Sequence, residues 1–441
     1  MHYPRIVQAY PGVAARADML VRRMTSANRA TSLGEFVTLM ATLTALAAMS
    51  IDMVLPALPS IGTSLGVERA NDNQLIVSLL FLGFGLGQLF YGPLSDAVGR
   101  KPAAFAGLTI FSAGCVLALT SRSFPMMLAG RFLQGIGVAG PRTITLALVR
   151  DRFEGREMAR VMSLITVVFI LVPVVAPAIG QTVLALLGWR AIFGVYLATG
   201  LVATIWFAVR QEETLPRERR IPLAVGRILA ATREVVSNRQ SIGYTVASGL
   251  IFGALLGYLS SAQQILQQEY SLGPRFPIFF AMVAISIGAA SFTNASLVLR
   301  YGMRPLATWS LRGIFVVSIV FGAIATLSSG QPPLWGLMAY LMASFFGIGL
   351  LFGNLNALAM QPLGHIAGTG AAIVGATSML ISLVLGTLIG QSYNGTVLPL
   401  VIGFAALSAS AMLVSWWAEA GAHQPDPTPL AAAETPTGEI G

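Results

Sequence analysis

Twelve apolar runs of about twenty residues or more, separated by polar joints, fill most of this 441-residue chain: 34–57, 74–94, 103–121, 125–149, 158–186, 189–209, 242–267, 277–299, 305–327, 333–356, 367–391 and 396–417. As a helix, each is long enough to cross about 30 Å of hydrocarbon, where every backbone N–H and C=O needs a partner within the protein. Only a helical bundle or a closed barrel meets that demand. The runs contain many Val and Ile residues, but they are too long for barrel strands and lack the alternation of one. Charged residues are only 10% of the chain and mean hydropathy is +0.74, against about 25% charge in a soluble domain. The expectation is an all-α integral membrane protein with twelve transmembrane helices.

Arginine and lysine set the orientation, because loops rich in them stay in the cytoplasm. With the N-terminus inside, the inner segments hold twenty of the 27 basic residues. The outer loops hold four (Arg69, Arg122, Arg190 and Arg275), and Arg131, Arg142 and Arg312 lie within helices. Both termini are therefore expected in the cytoplasm. The formal net charge of +9 is an excess on one membrane face and calls for no nucleic-acid partner. Residues 1–33 are Arg-rich without an apolar core, so they read as a cytoplasmic arm rather than a cleavable signal peptide. Residues 418–441, with Pro425, Pro427 and Pro429, read as a disordered cytoplasmic tail.

A short polar loop, Gly92-Pro-Leu-Ser-Asp96-Ala-Val-Gly99-Arg100-Lys101-Pro102, joins the second and third runs. Gly and Pro supply a tight turn, and Asp96, Arg100 and Lys101 are placed to latch onto a neighbouring helix end. Six helices later, Ala295–Pro305 repeats its outline: Gly302, Arg304 and Pro305 align with Gly99, Lys101 and Pro102, while Leu299 stands where Asp96 does. This implies two six-helix bundles, 34–210 and 242–417, in parallel repeat across an Arg-rich linker at 211–241. With the second copy degenerate, an Asp-dependent latch is expected on one half only.

Charges inside the membrane are the functional candidates, since each costs about 3 kcal/mol at a helix centre unless paired or wetted. Asp52 is the one well-embedded acid; Glu35, Glu269 and Glu419 fall at helix ends, where interfacial solvation accounts for them. With their helices ending at the run boundaries, Asp52 and Arg131 each lie about 9 Å below the outer surface and share one level. Two readings stay open. Asp52 and Arg131 form an architectural ion pair, or Asp52 is a proton site poised between desolvation and the arginine. Arg142, eleven residues after Arg131, lies about three turns on along the same face of the fourth helix. Arg312 reads as snorkelling to the inner side. Pro173, Pro177 and Gly180 in the fifth helix suit a bent wall or gate, although such residues are also common in membrane helices without that role. Tyr258, Phe345, Asn354 and Asn356 are candidates to line the second half, with packing or local hydrogen bonding as the plainer account.

Several classes are set aside. Gly135-Ile-Gly137-Val-Ala-Gly140 fits the dinucleotide-binding glycine pattern but lies within an apolar run without the required strand, so close helix packing is expected instead. Cys115 is alone, and His2, His365 and His423 are scattered, so no disulfide, metal site or cofactor is expected. A membrane-embedded enzyme would need converging acid and base groups, and the spans offer one acid.

The loop at 92–102 resembles the signature between the second and third helices of the major facilitator superfamily. Ser50-Ile-Asp52-Met-Val-Leu-Pro56-Ala-Leu-Pro59 and Arg131-Phe-Leu-Gln134-Gly135-Ile-Gly137, closed by Ala147-Leu-Val-Arg150-Asp151, resemble first- and fourth-helix motifs of its twelve-span drug:proton antiporters. Glu213-Thr-Leu-Pro216-Arg-Glu218-Arg-Arg220 and Gly364-His-Ile-Ala367-Gly-Thr369 are similar to the bicyclomycin-resistance branch. The fifth helix departs from the antiporter pattern at Ala176 and Gln181, where glycines are usual. The resemblance implies a monomer in a bacterial inner membrane that exports small amphipathic drugs in exchange for protons. It makes Asp52 the proton site with Arg131 and Arg142 in the coupling machinery; Gly92, Asp96, Gly99, Arg100 and Lys101 the gate latch; and Pro173, Pro177 and Gly180 the antiporter motif. A proton-coupled uptake carrier on the same fold is the alternative.

Overall fold

The computed structural model describes residues 32–420. The arm up to residue 31, the tail from 421, and with them His2 and His423, lie outside the described residues. The first span, Leu33–Asp52, breaks at Met53–Val54 and continues through a 3-10 turn, Leu55–Ala57, into a short helix, Leu58–Ser64. The next five are Leu75–Val98, Arg100–Leu119, Phe124–Arg152, Gly155–Leu187 and Trp189–Arg210. The seventh, Arg239–Ala262, ends in π-helical turns over Gln263–Glu269. The last five are Phe276–Tyr301, Met303–Leu327, Leu334–Met360, Ala367–Gln391 and Leu398–Glu419. The tenth and eleventh are linked by a 3-10 turn, Gln361–Ile366, so twelve spans form eleven continuous helical stretches. No strand occurs among the described residues. The linker at 211–241 contains one further helix, Val225–Ser237.

Helix packing follows a plan that repeats after six spans. In the first half the fourth span packs on the second and third, the first on the fourth, fifth and sixth, and the third on the sixth. Shifting each number by six describes the second half: tenth on eighth and ninth, seventh on tenth, eleventh and twelfth, and ninth on twelfth. The halves meet where the second span lies against the eleventh and the fifth against the eighth. That pair of contacts is itself exchanged by the six-span shift, as expected for two bundles related by an axis along the membrane normal.

The expected loop at 92–102 is almost entirely helical. The second span runs through Pro93 to Val98, and only Gly99 leaves the helical path, at φ +109° and ψ 158°. A proline inside a membrane helix removes the donor to the carbonyl four residues back, here Leu89, and is tolerated in such spans; just past it the Ser95 hydroxyl donates to the Gly92 carbonyl at 2.9 Å. Gly302 turns the eighth span into the ninth in the same way, at φ +81° and ψ 168°. Positive φ at both joints is what only glycine adopts without strain, so the repeat survives in backbone geometry although Leu299 has replaced the acid.

The glycines of 135–140 serve packing. A β-carbon on Gly135 would stand 2.0 Å from the Leu80 carbonyl oxygen, and one on Gly137 would stand 2.2 Å from the Phe111 nitrogen. The fourth span can therefore touch the backbones of the second and third, the close approach small residues permit in membranes.

Candidate functional site

Naming the two membrane faces by the predicted orientation, Asp52 is the last helical residue before the break in the first span. The span resumes and ends at Ser64, twelve residues further on. Asp52 therefore lies about 18 Å from that outer end rather than the 9 Å expected from the run boundary. Prolines 56 and 59 mimic a helix end in sequence, but Pro is readily accommodated in a first helical turn. The carboxylate belongs to a residue only 4% exposed, and no hydrogen bond or ion pair reaches it among the described residues.

The expected ion pair with Arg131 is absent from this conformation. Arg131 is fully buried; its Nε donates to the Ile76 carbonyl at 2.9 Å, Nη1 to Gln134 Oε1 at 2.7 Å and Nη2 to the Ser50 carbonyl at 2.8 Å. The reason lies in the helix break. The last carbonyls of a helix lack intrahelical donors, and Arg131 takes the one at Ser50; the Met49 carbonyl, already paired with the Met53 N–H at 3.1 Å, accepts the Tyr196 hydroxyl as well at 3.0 Å. Arg131 is thus on the level of Asp52, as predicted, but clamps the first, second and fourth spans through neutral oxygens.

The fifth span explains how the break is held. A β-carbon on Gly180 would stand 2.0 Å from the Met53 carbonyl, so only glycine lets this helix lie against the first span just past Asp52. Pro177 is buried in the same face, while Pro173 is partly exposed. The helix stays continuous through both prolines.

Across the seam, the second half contributes aromatic surface. The Tyr258 ring stacks with Phe280 at a centroid separation of 5.9 Å and meets Phe345 edge-on at 4.8 Å; Phe345 in turn approaches Phe404 at 6.0 Å. The Tyr258 hydroxyl is buried without a hydrogen-bond partner, and it lies within electrostatic reach of the Asp52 carboxylate. Tyr258 and Phe345 are therefore brought together, with Asp52 within electrostatic range of the Tyr258 hydroxyl. Asn354 is not part of that group: it donates to Asn294 Oδ1 at 2.8 Å and to the Leu350 carbonyl at 2.9 Å, nine residues further along the helix. Asn356 is exposed. Arg142 stands apart as well, over the rings of Phe169 (4.6 Å) and Phe84 (5.9 Å).

The latch residues meet, with a different hub. Asp96 does not reach across the bundle; it pairs with Arg100 at 2.5 Å and is 46% exposed. Buried Arg100 makes the inter-helix contacts, with Nε donating to Asp151 Oδ2 at 3.0 Å and Nη1 to Ser95 Oγ at 2.8 Å. Glu213, from the linker, accepts the backbone N–H groups of Arg100 and Lys101, each at 3.0 Å, and so caps the third span's N-terminus. Lys101 Nζ donates to the Ala208 carbonyl at 2.8 Å. Gly92 faces Ala372 of the eleventh span. The acids at helix ends have partners beyond solvent: Glu35 binds Arg210 through both oxygens at 2.5 and 2.6 Å, Glu419 accepts from the Tyr244 hydroxyl, and Glu269 from Gln331. Arg312 is exposed, as snorkelling requires.

One cluster has no counterpart in the sequence reading. At the outer mouth, Gln74 Nε2 donates to Gln264 Oε1 (2.5 Å) and to the Gly390 carbonyl (3.0 Å). Gln264 Nε2 donates to Asn71 Oδ1 (2.8 Å), and Asn71 Nδ2 to the carbonyls of Gln391 (3.0 Å) and Tyr393 (2.9 Å). Gln391 returns a bond to the Asn71 carbonyl at 2.8 Å. These amides stitch the first half to the second and close the outer side of the seam. The only advance signal was the recurrence of Asn and Gln at 71–74, 263–268 and 391.

Residues 40–387 match the profile of the Major Facilitator Superfamily. An uncharacterized MFS-type transporter, YdgK, of Bacillus subtilis is 30% identical over 357 residues, which cover 80% of this chain and 87% of the relative. A bicyclomycin resistance protein homolog of Haemophilus influenzae is 28% identical, with 87% of this chain and 95% of the relative covered. Multidrug resistance protein D of Escherichia coli K12 is 27% identical, covering 78% and 86%. Among solved structures, the human organic anion transporter MFSD10 superposes with a TM-score of 0.65 at 18% identity over 87% of this chain and 98% of that one; this is a likeness of fold.

Proposed function

The chain belongs to the Major Facilitator Superfamily, and we propose that it exports small amphipathic antimicrobials from the cytoplasm of a bacterium in exchange for protons, by alternating access. It is a multi-pass membrane transporter, not an enzyme. The drug-resistance names of its relatives support the substrate class, and the one-sided arginine distribution supports an inner-membrane protein with both termini in the cytoplasm.

Coupling rests on Asp52. A carboxylate buried without a protein cation carries its own desolvation cost, so it gains from a proton or from a positively charged or hydrogen-bonding substrate, but not from both at once. Mutual exclusion at one group is what exchange transport needs. Arg131 supports this indirectly, by holding the broken first span so that Asp52 faces the seam. Tyr258 and Phe345 supply the apolar wall opposite, where amphipathic molecules gain mainly by area. Both halves of the site come from one chain, so a monomer suffices. Arg100, Asp151 and Glu213 brace the inner ends of the first half so that it rocks as a body.

The observation that carries the proposal is the buried Asp52 at the break of the first span, which has no hydrogen-bond or ion-pair partner among the described residues. Asp52→Asn keeps shape and hydrogen-bonding capacity but removes titration. In everted vesicles the variant is expected to reach the membrane at parental levels and to lose proton-driven accumulation of drug. Parental accumulation driven by a proton gradient would refute the assignment.

A further inference from the structure

The first half holds two embedded arginines in the same helix, and their surroundings differ in kind. Arg131 is sealed, and three of its nitrogens each have an acceptor. Arg142 is partly exposed, and among the described residues no oxygen accepts any of its N–H groups. Its neighbours are the faces of Phe84 from the second span and Phe169 from the fifth. Ring faces attract a cation but accept none of its five N–H donors in a proper hydrogen bond. A guanidinium at this depth is costly unless an anion or water meets it.

The described residues do not offer that anion. Asp52 is the one acid in the described spans away from the end of a span, and it lies on the level of Arg131, eleven residues and about 16 Å along the fourth span from Arg142. Rocking does not bring them together, because the first and fourth spans belong to the same bundle and Arg131 ties them directly.

From this contrast, and resting on the reading that the space between the bundles takes the substrate, we infer that Arg142 with Phe84 and Phe169 forms an anion subsite for amphipathic aromatic carboxylates or sulfonates. The guanidinium binds the acid group as a two-pronged donor, and the two rings that flank it bind the aromatic body. A subsite facing Tyr258 and Asp52 at one level and Arg142 at another also gives an acidic drug a position clear of the proton-binding carboxylate, which would repel it.

The test is calorimetric titration of the full-length chain in detergent with 2-naphthoate, 2-naphthalenesulfonate and 2-naphthamide, which share a ring system and differ in charge. Both anions are expected to bind at least about tenfold more tightly than the amide, the scale of a charge-assisted pair of hydrogen bonds. Arg142→Gln is expected to remove that discrimination while leaving the amide affinity within about twofold, and Arg142→Lys, which keeps the charge without the fork, to restore part of it. Equal affinities for the three probes in the parent would overturn the inference, as would no measurable anion binding or undiminished anion binding in Arg142→Gln. Folding of each variant is read from its elution profile and its amide affinity. Binding is measured without a proton gradient, so this result stands or falls separately from the coupling role of Asp52.

Discussion

The amide seam at the outer mouth makes the conformational equilibrium of this transporter accessible to a single substitution. Asn71→Ala removes three side-chain hydrogen bonds between the halves: two donated to the carbonyls of Gln391 and Tyr393, and one accepted from Gln264. Opening the outer mouth separates these groups, so the bonds exist in the outer-closed state only and their loss acts on that state alone. The Gln391 and Tyr393 carbonyls belong to part-buried residues at the outer helix ends, where water can re-satisfy them, whereas Gln264 is buried; the net value of about 0.5–1.5 kcal/mol per bond is therefore a floor for the three. Three bonds give about 1.5–4.5 kcal/mol, a shift of roughly tenfold to a thousandfold in the ratio of outer-open to outer-closed molecules.

Spin labels at Arg69→Cys and Ser392→Cys, on exposed positions flanking the seam, in a Cys115→Ser background report the separation directly. The expected result is growth of the long-distance population by at least about tenfold in Asn71→Ala, within the range just worked. Backbone conformation at the helix ends is unaffected by this change, so a distance distribution identical to the parent's would show that the amides fill space without holding the gate. The π-helical turns at Gln263–Glu269, which carry Gln264 into the seam, make the same point from the other side. Such turns occur mostly at functional positions, and Gln264→Ala is expected to act in the same direction through its two bonds.

Much of the fold was legible because a bilayer dictates the length of each element and the sign of each loop; the twelve runs correspond to the twelve spans. The six-span repeat was legible from Gly99 and Gly302, since positive φ is a demand that few residues meet. Depth was misjudged at Asp52 because Pro56 and Pro59 look like a terminus, while the helix restarts at Leu58. The partners of Arg131 could not be read from sequence at all: two of its three acceptors are backbone carbonyls, which every residue possesses. The seam escaped notice because its members are separated by up to 322 positions, and lone amides at helix ends resemble ordinary interfacial residues. Asp151 and Glu213 stood within recognised segments, but only the folded linker brings them to Arg100.

Three further outcomes are expected. Arg131→Ala leaves the Ser50 carbonyl and the Gln134 amide oxygen without donors in a sealed site, at about 1–3 kcal/mol each, and removes a second bond from the Ile76 carbonyl, which keeps its helix partner. Because none of these acceptors is Asp52, adding Asp52→Asn is expected not to restore the lost resistance to thermal unfolding; recovery in the double variant would reinstate the ion pair. Gly180→Val places side-chain atoms on the Met53 carbonyl and is expected to abolish transport by displacing the fifth span from the first, whereas Gly194→Val, which meets nothing within 4 Å at the β-carbon, is expected to be tolerated, with everted-vesicle uptake as the measure; equal damage from both would refute the packing argument. The last outcome concerns the loop between the second and third spans. Asp96 is 46% exposed and its pair with Arg100 is short-range, so it contributes at most about 1 kcal/mol, and Asp96→Asn is expected to keep turnover within about fivefold. Arg100 is 7% exposed at its side chain and joins the second span to Asp151 of the fourth. Charge-assisted bonds of this sort contribute about 1.5–3 kcal/mol each, and among the described residues Arg100→Gln leaves Asp151 with the Thr214 hydroxyl at 2.8 Å alone. Arg100→Gln is therefore expected to slow turnover by at least about tenfold and to raise hydrogen exchange at the first amides of the third span. Leu299, the matching position of the second half, is 88% exposed and bears no charge, so Leu299→Asn is expected to leave both measures unchanged. If Asp96→Asn proves as damaging as Arg100→Gln, the hub is misassigned and the exposed acid carries the latch.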